Sequence, residues 1–282
     1  MKKAYIGIIS FAIVLLLMPI GHILMSLLTN NYTIYGQLIG AGMIGLLGLG
    51  LLIIGSTSKK EITACINGLL SGILIWTGWI EFSFVLYAEK LNIVPLIEEG
   101  IVTTRPEYLL MASSLGLLLA FVSIWMVSST TRCNMFMWIQ NKILPKIKRS
   151  GLKHTNHAMI TSLETVSIIW FFYLVLLISY DDHFFGTFHP VTYGIFFLSL
   201  LWSAYLIKQL LRFNNFAKAI RYAIPTVVIF WNSIEILGRW DFFTEFWIDP
   251  NKFWLESILI IVVLIVILSW SWYENLHKNA TN

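Results

Sequence analysis

Charge is what this sequence has least of. Asp, Glu, Lys and Arg together make up 12% of its 282 residues, against about 25% in an ordinary soluble domain. So few charged groups cannot clothe a chain that is 57% hydrophobic in water. Cysteine is almost as scarce. Cys65 and Cys133 stand in different segments, which excludes a disulfide framework and any CxxC or CxxCH motif. There is also no glycine-rich nucleotide loop, no HExxH helix and no GxSxG elbow. The seventh apolar segment has no lysine for a retinal Schiff base between Arg221 and Arg239. A bis-histidine haem is hard to build, because His157 stands at the inner end of its apolar segment and only His22 falls within one.

What the chain has in abundance is apolar length. Hydrophobic blocks of about twenty residues recur, the length a helix rising 1.5 Å per residue needs to cross about 30 Å of hydrocarbon. They fall near 4–28, 36–56, 63–88, 107–128, 157–180, 191–211, 221–239 and 253–273. The expectation is an all-α integral membrane protein, a bundle of about eight transmembrane helices. Lys2 and Lys3 open the first block as they would a signal peptide. The block is too long for that and lacks a small-residue cleavage site, so it reads as a retained helix.

The connections fix an orientation. With the N-terminus inside, 15 of the 19 Lys and Arg residues fall on the cytoplasmic side, while Lys90, Arg105, Arg239 and Lys252 remain outside. The acids run the other way, with Glu89, Glu98, Glu99, Glu107, Asp181, Asp182, Asp241, Glu245, Asp249 and Glu256 outside or at the outer boundary. Both termini are then cytoplasmic, in a plasma membrane, which the absence of a processing signal suggests is prokaryotic. The basic face is explained by orientation and anionic lipid, so no nucleic-acid partner is expected.

The longest connection, 129–156, is a basic cytoplasmic linker with a short amphipathic segment at 134–144. It separates two sets of four spans, 1–128 and 157–282. Because four is even, the halves would have the same orientation, as a parallel internal repeat requires. Ile75-Trp-Thr-Gly-Trp-Ile-Glu81 and Phe230-Trp-Asn-Ser-Ile-Glu235 occupy matching places in the third and seventh spans, with Pro95 and Pro250 following at nearly the same distance. The second span carries Gly40, Gly42, Gly45, Gly48 and Gly50, a surface suited to close helix packing. The eighth is almost pure Ile, Leu and Val and should face lipid.

Carboxylates at membrane depth are costly unless paired, solvated or protonated, so they mark candidate sites. Glu81 and Glu235 share the outer third of their spans, whereas Glu164 lies nearer the cytoplasmic end of the fifth. Arg239 is placed to pair with Glu235 four residues earlier. Glu81 has only Trp79, Phe82 and Phe84 around it and must find a partner on another helix. His22 follows Pro19, whose ring frees a backbone carbonyl and opens the helix.

The connection between spans five and six, Tyr180-Asp-Asp-His183-Phe-Phe-Gly-Thr-Phe-His189-Pro190, holds two imidazoles and two carboxylates. With His22, the residues Asp182, His183 and His189 supply ligand types for a transition metal or a calcium-like ion, though at no standard spacing. A solvated loop with membrane-seeking Phe rings accounts for the same residues. In the last connection Asp241, Glu245 and Asp249 sit at i, i+4 and i+8, as on a helix lying flat in the interface.

Three functional readings follow. In the first, Glu81 and Glu235 are the catalytic carboxylates of a membrane-embedded enzyme or enzyme-complex subunit, working on an amphiphilic or small-molecule substrate at an outward-facing site that can bind a metal. The second is a cation- or proton-coupled secondary transporter built from two halves. The third is a non-catalytic accessory subunit that contacts other membrane subunits.

Overall fold

The computed structural model describes residues 4–94, 96–98, 101–104, 106–127, 141–142, 156–182, 184–247 and 250–279. Among them the chain is helical apart from one small antiparallel hairpin, β1 (Leu96–Glu98) and β2 (Ile101–Thr104). The helices are α1 (Ala4–Leu17), α2 (Pro19–Asn31), α3 (Ile34–Thr57), α4 (Glu61–Ile75), α5 (Phe82–Lys90), α6 (Pro106–Ala112), α7 (Leu115–Val127), α8 (His157–Tyr180), α9 (Pro190–Leu210), α10 (Phe216–Arg239) and α11 (Trp254–Asn279). A π-helical turn, Trp76–Glu81, joins α4 to α5 without a break.

Six of these helical stretches are long and apolar enough to cross a bilayer: Ala4–Asn31, Ile34–Thr57, Glu61–Lys90, His157–Tyr180, Pro190–Leu210 and Phe216–Arg239. One of the eight expected spans is broken. The fourth is divided into α6 and α7, which meet at 47°, where Ser113 and Ser114 turn their hydroxyls back onto Leu110 and Met111 carbonyls. The eighth lies in helix α11, whose described side chains include the apolar stretch Trp254–Trp270. Of the 129–156 linker, only Asn141, Lys142 and Asn156 are described, so its amphipathic segment lies largely outside the described residues.

Pro19 divides α1 from α2 because its ring removes a backbone donor, and Met18 N–H closes a tighter turn onto the Leu15 carbonyl at 3.2 Å. Elsewhere small residues set the packing. Gly68 and Gly72 on α4 lie against α8, and a Cβ at Gly72 would stand 2.7 Å from Thr165 Cβ. Gly78 lies so close to α3 that a Cβ would be 2.6 Å from both the Ala41 carbonyl oxygen and the Gly45 nitrogen. In lipid, where apolar side chains gain little by mutual burial, such close approach supplies the cohesion. Gly45 takes the Trp79 indole against it, whereas Gly42 and Gly50 face open space.

Helices α4 and α10 are central. Helix α3 packs along α4, and α9 packs along α10. Likewise α8 lies against α4, and α1 lies against α10. Their shared core joins Val14, Leu17 and Ile20 to Leu69, Ile73, Ile220 and Ile224. The outer surfaces of α3, α9 and α11 are apolar, with Ile39, Leu46, Leu198, Leu201, Ile265 and Val266 exposed. A water-soluble monomer rarely presents apolar surface on that scale, and a multi-pass membrane protein does so by construction.

Candidate functional site

The π-helical turn shapes the site first. An extra residue in a helical turn rotates everything after it by about 100° relative to an α-helix, and such turns recur at functional positions. Here it ends at Glu81, only 7% exposed. Glu81 takes a hydrogen bond with Trp76 and lies within electrostatic reach of His22, Glu107 and Glu235. Gly21 on α2 makes room for this approach: a Cβ there would lie 2.8 Å from Thr77 Oγ1 and 3.9 Å from Glu81 Oε2.

Glu235 reaches the same place from α10. Its Oε1 accepts a hydrogen bond from Trp231 Nε1 at 2.7 Å and stands 3.6 Å from His22 Nε2. Trp231 and Glu235 are one turn apart on one helical face, so the donor is fixed by local geometry. His22, projecting just after the Pro19 break, also stacks on Tyr173 of α8, with ring centroids 6.4 Å apart. Tyr173 in turn meets Tyr108 of α6 edge-on at 5.8 Å. Arg239, placed by sequence to pair with Glu235, has its guanidinium 5.2 Å from the Tyr180 ring centroid.

These side chains line a cavity of about 1850 Å³ that opens at the end of the bundle carrying the 181–189 and 240–253 connections. Glu81, His22 and Glu235 form its inner wall together with Tyr108, Tyr173 and Trp231. Its rim contains Asp181, Asp182, His189, Arg239, Asp241, Glu245 and Lys252. Among its described residues, 240–247 and 250–253, the last connection is a series of turns rather than the flat helix that the acid spacing suggested; Asp249 lies outside the described residues. Asp241 adopts a left-handed backbone conformation at φ 58°, which ends the helical path. Trp247, only 3% exposed, then plugs the wall against Trp231 at 4.9 Å.

Of the four residues proposed as metal ligands, His22, Asp182 and His189 all line the cavity, and His183 lies outside the described residues. His22 faces Glu235. His189 caps α9, its Nδ1 accepting from Val191 N–H at 3.2 Å. Among the described residues, one group of metal-ligand types has all its ligand atoms within 4.8 Å of one another: Glu61, Cys65 and His157, at the opposite end. Arg221 is seated there, 3.1 Å from Glu61 Oε1 and 3.3 Å from His157 Nδ1. Its fixed positive charge occupies the place a cation would take, which makes this first an ion-pair network joining α4, α8 and α10.

Glu164 belongs with that opposite end, among the charges that Cys65 senses. The sequence reading missed the roles of Trp231, Tyr173 and Tyr108, because aromatic residues in a membrane chain read first as interfacial belt. It also missed the Glu61 network, although Glu61 and Cys65 at i and i+4 share a helical face. Comparisons with protein-family models, curated proteins and solved structures find no match for this chain.

Proposed function

We propose that the chain is a membrane-embedded enzyme, or the catalytic subunit of a membrane complex, whose acid–base site opens to the outer side of a prokaryotic plasma membrane. The observation that carries this is the meeting of His22, Glu81 and Glu235 from three separate helical stretches on one open cavity. In this reading Glu235, held by Trp231, orients the His22 imidazole, and His22 takes a proton from a bound substrate. Glu81 is the second carboxylate and supplies or relays the proton on the other side. General acid–base groups of this kind contribute rate factors of about 10²–10⁴. The aromatic walls suit an amphiphile whose polar group enters from the rim.

The orientation rests on the basic residues, with Lys59, Lys60, Arg212 and Arg221 at the end away from the cavity. Both termini then lie in the cytoplasm after eight crossings. In an alternative form of the proposal, His22, Asp182, His183 and His189 would hold a metal acting as a Lewis acid, and His22 would then serve as a ligand rather than as the base. The test is to incubate the purified protein in nanodiscs with a bacterial membrane-lipid extract and compare mass spectra before and after. Wild type should convert at least one lipid species that His22→Ala and Glu235→Gln leave untouched. Identical spectra for all three would reject the enzyme.

One observation favours a carrier as the second reading. The pairings of α3 with α4 and of α8 with α4 recur as α9 with α10 and α1 with α10, as two parallel halves would pack. Glu81 and Glu235 become equivalent residues at the interface between repeats. Glu81→Gln and Glu235→Gln in proteoliposomes separate the readings: a carrier loses ion-coupled uptake, whereas an enzyme shows none in any form.

A further inference from the structure

Three buried polar atoms on the cavity lining make no hydrogen bond among the described residues: Thr77 Oγ1, Asn232 Nδ2 and the Tyr180 hydroxyl. The Tyr180 ring lies at the rim end of α8, against the Arg239 guanidinium. Thr77 and Asn232 are set further in, and are 0% and 2% exposed. Thr77 precedes Glu81 by four residues and Asn232 precedes Glu235 by three, so each stands about one helical turn, roughly 5 Å, deeper than its carboxylate. Helix α2 spans the two positions: Gly21 lies against the Thr77 hydroxyl, and His22 beside it faces Glu235.

Other buried hydroxyls in the bundle return to their own helix. Thr161, Thr165 and Thr226 donate to the carbonyl four residues back at 2.7, 2.8 and 2.7 Å. Nearly all buried polar groups in folded proteins are paired, and one that is not leaves its desolvation uncompensated. Two such atoms, brought to one cavity by two helical stretches, are accounted for by a group that enters and pairs with both. An amide nitrogen only donates, and a threonine hydroxyl turns to donate as well, so the entering group is an acceptor. A carbonyl oxygen has two lone pairs and matches two donors. A carboxylate or phosphate brings about four or more acceptor sites, and a charge whose desolvation two neutral donors leave largely uncovered.

We infer that Thr77 and Asn232 recognise an uncharged carbonyl: the ligand is an acyl ester or amide whose C=O oxygen accepts from Asn232 Nδ2 and Thr77 Oγ1, with its chain along the aromatic wall. The inference rests on the cavity's being the substrate site proposed above, and it names the group recognised there.

The experiment places the full chain in nanodiscs of ether-linked phosphatidylcholine, which carries no carbonyl, and adds methyl decanoate. Infrared difference spectra against the same ester labelled with heavy carbon at the carbonyl isolate its C=O stretch. Wild type should show a saturable second band at lower frequency than the ester gives in protein-free discs, as a carbonyl with two hydrogen bonds does. Thr77→Val and Asn232→Leu should each move that band back toward the disc value, and the double variant should abolish it. Their unfolding midpoints should hold or rise, because the polar atom removed has no protein partner. Lowered midpoints with the band in place would make the two residues structural and overturn the assignment. A wild type with only the disc band also overturns it; if His22-dependent lipid conversion persists there, the cavity stands as a substrate site with another recognised group. A shifted band without lipid conversion upholds the carbonyl assignment and removes the enzyme.

Discussion

Gly78→Ala is the sharpest single perturbation the packing allows, because the added methyl would meet backbone on both sides. Its Cβ would lie 2.6 Å from the Ala41 carbonyl oxygen and 2.6 Å from the Gly45 nitrogen, about 0.8 Å inside ordinary contact distance on the van der Waals scale. Neither atom belongs to a side chain that can rotate away, so α3 and the π-helical turn must separate. Overpacking of this kind costs roughly 1–3 kcal/mol, and the backbone clash puts this case at the upper end. At roughly 2–4 °C per kcal/mol for a chain of this size, a cost of about 2–3 kcal/mol should lower the unfolding midpoint by about 4–12 °C.

The same displacement moves Glu81, three residues on, so any conversion that depends on the cavity should weaken as well. Gly42→Ala is the matched control on the same helix pair, because nothing lies within 4 Å of a Cβ there, and its midpoint should hold or rise slightly. The assay is thermal unfolding in one detergent for wild type and both variants, read by tryptophan fluorescence. Equal midpoints for Gly78→Ala and Gly42→Ala would refute the claim that this contact fixes the turn beneath Glu81.

Three further outcomes follow from other parts of the molecule. Trp231→Phe keeps most of the ring but removes the 2.7 Å donor to Glu235, and loss of a hydrogen bond to a charged group should cost about 1.5–3 kcal/mol in urea or SDS unfolding. Arg221→Ala leaves Glu61 and His157 without their shared cation; because Glu61 is partly exposed, the loss should be nearer about 1 kcal/mol, measured as a shift in midpoint. Elemental analysis of wild type beside His183→Ala/His189→Ala tests the rim metal, with near-stoichiometric metal lost in the variant as the outcome that sustains it and a metal content unchanged by the variant as the outcome that removes it.

Much of the bundle was legible because bilayer thickness imposes one length on every span. That rule located the helical stretches from Ala4 to Arg239 and fails where it should fail. Ser113 and Ser114 interrupt the fourth span with local hydrogen bonds that mean hydropathy does not register. The pairing of Leu96–Glu98 with Ile101–Thr104 left no trace in the sequence reading, since short strands carry no span-length signal.

At the site, Glu81, Glu235 and His22 were found by their cost in hydrocarbon. Their actual partners were not, because they lie on another helix, arise from the π-helical turn or, for Glu235, sit one turn back on its own helix. The Glu235 case is instructive. Spacing alone favoured Arg239, yet Trp231 on the preceding turn donates the 2.7 Å bond and Arg239 lies over Tyr180. An i,i+4 rule cannot rank two candidates on opposite sides of the same residue. Glu61, Cys65, His157 and Arg221 come together only through the packing of three helices, which no local pattern encodes.

The central claim is that the Glu81, His22 and Glu235 cavity is an aqueous site open to the outer face. Ser26 lines it and is partly buried, its hydroxyl 3.4 Å from the Trp247 carbonyl oxygen. The most direct measurement is labelling of Ser26→Cys, with Cys65 and Cys133 replaced by serine, using a membrane-impermeant cationic thiol reagent on intact spheroplasts. The account predicts labelling from the outside without permeabilisation. Labelling that appears only after the inner face is exposed would contradict it.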